Sequence, residues 1–324
     1  MRFWGQTLAL LLVLVALFEL GCRFLLGWSP MSRNDARYGQ VMAPGQWVVQ
    51  SREGFARERT NELGNLDAPM PTSLPRDGIL VIGDSLTEAR QVSRSERYTE
   101  RLGAIVGRRV YNVGHSGWSP LNAIAYLDTE KARFRPALTI VQISGNDFDD
   151  MVNRKRRLHV VDRNGAYSIE VPSRDERGFS RHLERSAFAL LAFDRATAIL
   201  AGGGNEAEGS SCETLAPLAT RALPWMLGEL KRAAGNVALL YLPVVDYHHG
   251  CRDRCASSRA LYVAAAAAGG IPLVDATDAI CREFAGTQQP LHGFWNTVPG
   301  EGHLNAEGHA VLARLLAEQI GSTP

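Results

Sequence analysis

The chain has 324 residues, of which 45% are hydrophobic and 21% charged, and this composition suits one large globular domain or two small ones. Its net charge of +1 gives no indication of a nucleic-acid partner, and we expect none. The function therefore has to be sought in local patterns along the chain.

The N-terminus predicts a helix that enters or crosses a membrane. Residues 8–18 are eleven consecutive apolar residues, and the apolar character continues to residue 28, interrupted by Glu19 and Arg23. A membrane span needs about 20 mostly apolar residues, which this segment reaches if the two charges are tolerated. They are four positions apart, so they lie on one face of a helix and can partly neutralise each other.

Residues 1–28 are open to three interpretations. We expect an uncleaved signal anchor, because no clear small-residue cleavage site lies near Phe18. A cleaved signal peptide is one alternative. A lipoprotein anchored through Cys22 is another, although Glu19 occupies a position that is usually apolar in such anchors. Each interpretation places the rest of the protein outside the cytoplasm, on the periplasmic or cell-surface side, and the first makes the membrane a partner.

The main domain is predicted to start at residue 78, after a polar, extended lead-in over residues 29–77. Short, nearly continuous apolar runs are typical of strands buried on both faces, and they lie at residues 78–83, 109–114, 138–145, 237–243 and 271–276. Helical patterns follow or separate them, at about 94–107, 119–132, 214–234, 256–268 and 304–320. This alternation predicts an α/β fold, a three-layer α/β/α sandwich around a five-stranded, mainly parallel sheet, over residues 78–324.

An insert at residues 148–212 interrupts this alternation between the third and fourth strands. Residues 154–172 predict a hairpin that turns at Asn164–Gly165. Residues 181–200 predict an amphipathic helix, and residues 201–211 a flexible linker. The insert follows the end of the third strand directly, so we expect it to take part in substrate selection.

Beyond Cys22, the cysteines number four: Cys212, Cys251, Cys255 and Cys281. An even number in an exported domain favours disulfides, but connectivity cannot be deduced from sequence. Cys251 and Cys255 are close enough in sequence to pair across a loop. A zinc site within residues 248–255 is the alternative, but it lacks a second tight pair of ligands, and we expect no metal.

A serine at the end of the first strand is the first candidate for chemistry. Ser85 follows the strand directly, and the helical pattern resumes only after a gap, so we expect it in a loop. A serine hydroxyl is a weak nucleophile that needs a base within hydrogen-bond reach. The alternative is that Ser85 only caps a helix.

Three further segments are expected to converge on Ser85. Gly114 ends the second strand in "NVG", Asn146 follows the third in "SGNDF", and His303 lies in "EGHLNAEGH" before the last helix. In parallel α/β sheets, reactive groups gather outside the carboxyl ends of the strands. The fold therefore predicts one site built from these residues.

The four blocks, in this order, resemble those of the SGNH, or GDSL-type, serine hydrolases. The resemblance covers roughly residues 78–320 and implies a flavodoxin-like version of the predicted fold. It implies that Ser85 is the nucleophile and His303 its general base. It also implies an oxyanion hole made of the Ser85 and Gly114 backbone N–H groups and the Asn146 side chain, and no cofactor.

The third triad member departs from the family pattern. Relatives usually carry Asp two or three positions before the histidine, where this chain has Glu301 and Gly300. We expect Glu301 to be the acid, because its carboxylate is one methylene longer and can still reach the imidazole. The alternatives are that a backbone carbonyl orients His303 or that the protein is inactive.

The resemblance implies a serine esterase that acts on an ester-bearing small molecule or glycan. Members related to polysaccharide assembly often combine an N-terminal anchor with a lead-in similar to residues 60–69, which suggests O-acetyl groups on a cell-envelope or secreted polysaccharide. An O-acyltransferase, a lipase or thioesterase, and a catalytically silent subunit of an envelope complex are the alternatives.

Other polar and aromatic residues near these blocks have simpler interpretations. Asp84 and Asp147 are expected to brace their loops through local hydrogen bonds. Three other histidines, His248, His249 and His292, are interpreted as loop or surface residues and not as metal ligands. The aromatic residues Trp118 and Phe294–Trp295 flank the expected site and are open to two interpretations, as core or as a stacking surface for a sugar or an acyl chain.

Overall fold

The computed structural model describes residues 2–25, 32–152, 158–171, 186–189, 192 and 215–321. The predicted linker over residues 201–211 lies outside the described residues, as does most of the helix predicted over 181–200. The helices are α1 Arg2–Phe24, α2 Ser85–Glu88, α3 Tyr98–Val106, α4 Pro120–Glu130, α5 Asp147–Val152, α6 Pro217–Ala234, α7 Ala256–Gly269, α8 Thr277–Thr287 and α9 Ala306–Gly321. The strands are β1 Ser32–Asp35, β2 Gly39–Met42, β3 Trp47–Gln50, β4 Ala56–Arg59, β5 Ile79–Gly83, β6 Val110–Gly114, β7 Leu138–Ser144, β8 His159–Arg163, β9 Ala166–Glu170, β10 Val237–Leu242, β11 Val245–Asp246, β12 Arg252–Asp253 and β13 Leu273–Asp275.

A five-stranded parallel sheet forms the centre of the domain, in the order β13-β10-β7-β5-β6. Counted along the chain within this sheet, the order is 2-1-3-4-5, which is flavodoxin-like. The direction of strand addition reverses at β5, between β6 and β7. The carboxyl end of β5 therefore lies at the switch point where such sheets place their ligands.

The central strand β5 shows why its sequence is apolar throughout. Leu80 and Ile82 belong to the core cluster on one face of the sheet, and Ile79 and Val81 to the cluster on the other. All four are fully buried. Helices α4, α6 and α7 contribute to the first cluster, and α3, α8 and α9 to the second. The predicted three-layer α/β/α sandwich is confirmed.

The lead-in differs from the extended segment that was expected. It contains two antiparallel hairpins, β1–β2 and β3–β4. Val48 and Val49 of the second hairpin are buried, whereas Trp47 and Arg57 at its open side are exposed and form a cation–π contact at 4.7 Å. Strands of four residues are too short to produce a clear alternation in the sequence, so the pattern could not reveal them.

The hairpin predicted in the insert lies where expected. Strands β8 and β9 pair antiparallel, with Asn164 and Gly165 in the turn between them. Both turn residues have positive φ, +58° and +87°, as an Asn-Gly hairpin turn requires.

The cysteine pairing excludes two of the sequence-based alternatives. Cys251 pairs with Cys281, and Cys255 is disulfide-bonded as well. Cys251 and Cys255 therefore do not pair with each other. Neither has a free thiolate for the zinc site considered within residues 248–255, since metal binding by cysteine requires that thiolate.

Candidate active site

Ser85 stands at the carboxyl end of β5, as its position in the sequence predicted, but it is the first residue of α2 and not part of a loop. Asp84 caps this short helix, since its Oδ1 accepts the N–H of Leu86 at 2.8 Å. The capping role considered for Ser85 thus belongs to its neighbour. The side chain of Ser85 is half-buried.

His303 lies against Ser85. Its Nε2 is 2.8 Å from the Ser85 Oγ, although the two residues are 218 positions apart in the chain. The loop that carries His303 is held at its base by a hydrogen bond from the Gly293 N–H to the His303 carbonyl. It ends at Asn305, whose Oδ1 accepts the N–H groups of Glu307 and Gly308 at the start of α9.

The structure corrects the expected position of the acid. The carboxylate that contacts the imidazole belongs to Glu53, whose Oε2 lies 2.6 Å from His303 Nδ1. Its Oε1 accepts the backbone N–H of the same histidine at 2.5 Å. Glu301, the expected acid, is exposed and has no hydrogen bond to His303, so the structure does not bring it to the imidazole. Glu53 precedes β4 in the lead-in, 250 positions from the histidine.

These contacts fix the tautomer of the imidazole. An ionised Glu53 only accepts hydrogen bonds, so Nδ1 of His303 carries the proton, and Nε2 is left to accept from the Ser85 hydroxyl. Burial alone would raise the pKa of Glu53, but the hydrogen bonds and charge of His303 outweigh it and lower that pKa below its ordinary value. Glu53 is therefore ionised at neutral pH.

Gly302 makes room for this contact. Its φ is +78°, and a Cβ built there would collide with Oε1 of Glu53. Glycine adopts positive φ at little cost and leaves this space empty. The residue before the histidine therefore has to be small so that the carboxylate can approach from the lead-in.

Asn296 ties the loop of the acid to the loop of the histidine. Its Oδ1 accepts the N–H of Gly54 at 2.8 Å, and its Nδ2 donates to the carbonyls of Ser51 and Gly54. Residues 51–54 form the loop that carries Glu53. Asn296 lies seven positions before His303, in the stretch between α8 and α9 that also carries the histidine. This single side chain thus holds the two loops in register.

Two donors, at the carboxyl ends of β5 and β7, are unengaged among the described residues. As the first residue of α2, Ser85 has no intrahelical acceptor for its own N–H. The hydroxyl of Ser144 donates to Oδ1 of Asn146, which orients the amide and leaves its Nδ2 without a partner among the described residues. Both groups can donate to an oxygen that develops negative charge.

Gly114, the third expected donor, does not fit this role. Its N–H donates to Oδ1 of Asn112 at 2.9 Å, and a Cβ there would collide with the backbone of Glu88. The glycine instead allows α2 to pack closely on β6. Gly117 is the better candidate: it is exposed, has φ of +76°, and its N–H has no acceptor in the described part of the chain.

Two buried carboxylates brace the loops around the serine, as expected. Asp84 caps α2, and Oδ2 of Asp147 accepts the N–H of Ser144 at 2.7 Å. Burial raises the pKa of Asp84. Burial, followed by the charge of Asp84, raises the pKa of Asp147 well above its usual range. Gln142 adds a further contact, accepting the Asp84 N–H at 3.0 Å.

The remaining residues divide between core and surface. Trp118 is buried and donates from its indole to the Gln40 carbonyl, so it belongs to the core. Trp295 is 84% exposed. His292, expected in a loop or at the surface, is buried and lies 2.7 Å from the Tyr247 hydroxyl; its pKa is lowered to about 4, mainly by burial. Residues 248 and 249 are exposed, as expected.

Within the described ranges, no group of three His, Cys, Asp or Glu side chains is arranged to hold a metal ion. The side chains at the sheet edge instead form an alcohol–imidazole–carboxylate series. Such a series can activate a hydroxyl for attack on a carbonyl carbon.

Glu53, Asn296 and the candidate donor Gly117 were missed by the sequence analysis. Glu53 lies in a polar segment without periodicity, and Asn296 follows two aromatic residues in a loop, so only their contact in the folded chain shows their role. Gly117 had a signal, because it is a second glycine three positions after Gly114 in the same block.

No protein-family model and no curated protein matches this sequence. Solved structures with a similar fold include an α/β hydrolase from the metagenome of Lake Arreo, with 16% identity and a TM-score of 0.45 over 78% of this chain and 98% of that one. A catalytic mutant of the acetylxylan esterase Axe2 from Geobacillus stearothermophilus has 15% identity and a TM-score of 0.44 over 78% and 97%.

A member of the lipolytic G-D-S-L family from Veillonella parvula is similar at 14% identity, with a TM-score of 0.43 over 76% of this chain and 98% of that one. These likenesses are too distant to assign an activity. The activity has to be argued from the side chains of this chain.

Proposed function

We propose that the protein is a serine ester hydrolase in which Ser85, His303 and Glu53 form the catalytic triad. The observation that carries the proposal is the unbroken series of contacts from the Ser85 hydroxyl through both imidazole nitrogens to the Glu53 carboxylate. A catalytically silent subunit would have no need to hold three such groups, from three distant segments, in this geometry.

In the first half-reaction, the Ser85 Oγ attacks the carbonyl carbon of the ester while His303 Nε2 takes its proton. The Glu53 carboxylate stabilises the imidazolium that forms and does not itself take the proton. The tetrahedral intermediate then collapses, the C–O bond to the alcohol breaks, and His303 gives its proton to the leaving oxygen. The acyl group remains on Ser85.

The negative charge on the former carbonyl oxygen needs donors that are in place beforehand. The Ser85 N–H, the Asn146 amide and the Gly117 N–H are proposed for this role, with Gly117 replacing Gly114. Loss of one such donor typically lowers kcat by about 10²–10³-fold. Water, activated by the same histidine, then releases the acid and restores the serine.

For the substrate and location, we propose O-acetyl groups on a cell-envelope or secreted polysaccharide, hydrolysed by an enzyme anchored through α1. The segment Trp4–Phe24 is long and apolar enough to cross a membrane, with 6% of its most apolar stretch buried against the rest of the protein. A signal peptide meets the same description. Retention of α1 in the mature protein is therefore part of the proposal.

Labelling with a fluorophosphonate probe tests the activation of Ser85. Such probes react with serines that an adjacent base has activated. We expect the wild type to be labelled, Ser85→Ala not at all and His303→Ala far more slowly. Ser93→Ala, a partly exposed serine outside the site, is the control and should be labelled like the wild type. Persistent labelling of Ser85→Ala, or none of the wild type, contradicts the proposal.

Acetate release from an acetylated polysaccharide tests the substrate. Hydrolysis should be fastest for acetyl esters and should not rise with acyl chain length. A rise beyond short chains would indicate a lipase or thioesterase. Acetyl transfer to added glycan that exceeds acetate release would indicate an acyltransferase on the same residues.

A further inference from the structure

Three exposed apolar side chains lie in the two segments that carry Glu53 and His303. Phe55 is 61% exposed, Trp295 84% and Val298 55%. We call these three residues the apolar rim. Phe55 and Trp295 line a cleft of about 470 Å³, together with Gly54, the neighbour of Glu53. Exposed apolar patches of this kind usually mark an interaction site.

The rim is connected to the end of α1 by two hydrogen bonds. Asn296, the neighbour of Trp295, donates to the carbonyl of Ser51 at 2.9 Å. The hydroxyl of Ser51 donates to the carbonyl of Leu25, one residue beyond α1, at 3.1 Å. The loop of the rim and the end of the apolar helix are therefore separated by a single residue.

The length of α1 indicates where a bilayer surface would lie. The apolar stretch Trp4–Phe24 has 21 residues, or about 31 Å at 1.5 Å per residue, which matches a hydrocarbon core of about 30 Å. Phe18, near the end of α1, packs edge-on against Phe188, and Glu19 accepts the Ala187 N–H. Leu25 directly follows the apolar stretch, so it falls near the boundary with the headgroups when that stretch spans the bilayer.

The chemistry of the surface next to Ser51 suits that depth. Arg52, Arg57 and Arg59 are exposed on or beside the β3–β4 hairpin, which also carries the exposed Trp47. Aromatic rings and arginines are enriched at the membrane–water interface, where apolar parts enter the boundary and charges reach phosphates.

We propose that the apolar rim and this hairpin lie in the headgroup layer of the bilayer that α1 spans. The inference rests on the proposed anchoring, not on the esterase activity. The contact of Leu25 with Ser51 favours a membrane over a soluble glycan as the occupant, because it fixes the rim within a few residues of the bilayer boundary. The cleft beside the triad then opens at the membrane surface, and an ester presented there reaches it directly.

Fluorine NMR on the full-length chain tests this placement. The protein is labelled with 5-fluorotryptophan and reconstituted in nanodiscs, and the Trp295 line is assigned from Trp295→Phe. A gadolinium chelate attached to lipid headgroups should remove most of the Trp295 intensity. Trp225, partly exposed on α6, is the matched control and should keep its intensity. Val298→Glu, which puts a charge on the rim, should restore intensity to Trp295.

Three other results would each contradict the proposal, and each would identify which part of it is wrong. A reconstituted chain whose Trp295 line is no broader than that of Trp225 contradicts the docking and leaves the anchor intact. A chain that does not stay in nanodiscs contradicts both. A Trp295 line that shifts with soluble acetylated polysaccharide, but not with the lipid chelate, identifies the rim as a sugar-binding surface. Fluorophosphonate labelling of Ser85 is independent of all three outcomes.

Discussion

At the scale of single residues, the proposed triad depends on how Glu53 reaches His303. The carboxylate that contacts the imidazole is that of Glu53 in the lead-in, and not that of Glu301, which the sequence suggested. It engages the histidine twice, at Nδ1 and at the backbone N–H, so it orients both the ring and its loop. The Glu53 carboxylate can approach His303 in this way only because residue 302 is a glycine.

Gly302→Ala should therefore abolish most of the activity. The new Cβ would occupy the position of Glu53 Oε1 and push the carboxylate away from the imidazole. Steady-state kinetics on a soluble acetyl ester measure the effect, which we expect mainly in kcat. Misplacement of a catalytic group by about 1 Å can cost roughly 10²-fold.

Gly300→Ala is the matched control for this substitution. Gly300 also has positive φ, +88°, so alanine there suffers the same kind of backbone strain. Its Cβ would lie 3.2 Å from the Tyr247 ring and would not touch Glu53. Equal losses of kcat in the two variants would show that strain in the loop, and not the position of Glu53, is responsible.

At the scale of elements, the site is assembled from segments that do not belong to one local motif. The sheet supplies Ser85 at the end of β5, the loop before α9 supplies His303, and the turn before β4 supplies Glu53. The loop of His303 and the turn of Glu53 are linked by Asn296, which forms hydrogen bonds with the backbone at Ser51 and Gly54. Asn296 is thus a positioning residue that acts through Glu53.

A double-mutant cycle tests this role of Asn296. Asn296→Ala in the wild type should lower kcat by roughly 10–100-fold, because Glu53 loses its fixed position. In the Glu53→Gln background the same change should have little further effect, because the interaction that it supports is already lost. Additive losses would show that Asn296 acts on the site by another route.

At the scale of the whole molecule, buried histidines make stability depend on pH. His309 on α9 is 1% exposed and stacks on Tyr98 with ring centroids 5.9 Å apart. Burial, followed by the charges of Arg97 and Arg101, lowers the pKa of His309 to about 3. The unfolded chain binds a proton at this residue below about pH 6.5, and the folded protein does not. Stability is therefore lost as the pH falls.

Urea unfolding of the full chain in detergent, between pH 6 and pH 4, measures this contribution. His309→Phe should reduce the slope of unfolding free energy against pH by about 1.4 kcal/mol per pH unit, the value for one proton. An unchanged slope would contradict a neutral, buried His309.

Asp67 provides the control of opposite sign. Its pKa is raised to about 6, mainly by burial, although Arg109 lies 2.6 Å away. Between pH 4 and pH 6 the folded protein therefore holds a proton there that the unfolded chain releases. Asp67→Asn should increase the slope of unfolding free energy against pH, whereas His309→Phe reduces it.

The fold could be predicted from the sequence because its information is local. Strand β5 has the continuous apolar run that burial on both faces requires, and the Asn164–Gly165 turn has residues that tolerate positive φ. The positions of Ser85 and Asn146 follow from the same logic, since both come directly after strands of one parallel sheet.

The proposed acid, Glu53, and the proposed third oxyanion donor, Gly117, could not be predicted in the same way. Glu53 lies 250 positions from its histidine, in a segment whose four-residue strands leave no periodic signal. Gly114 marks a close approach of backbone, but the approaching group is α2 and not a substrate. A glycine in the sequence can indicate that the position must be small. Only the folded chain shows which neighbouring group occupies the space that a side chain would fill.

The turnover of Glu53→Gln, compared with that of Glu301→Gln, tests the central claim most directly. The neutral amide that replaces the carboxylate of Glu53 cannot hold Nδ1 of His303 as a protonated donor in the same way, so kcat on a soluble acetyl ester should fall by roughly 10³–10⁴-fold. Glu301→Gln changes an exposed side chain and should leave kcat unchanged. A loss of activity in Glu301→Gln, with Glu53→Gln close to the wild type, would contradict the account.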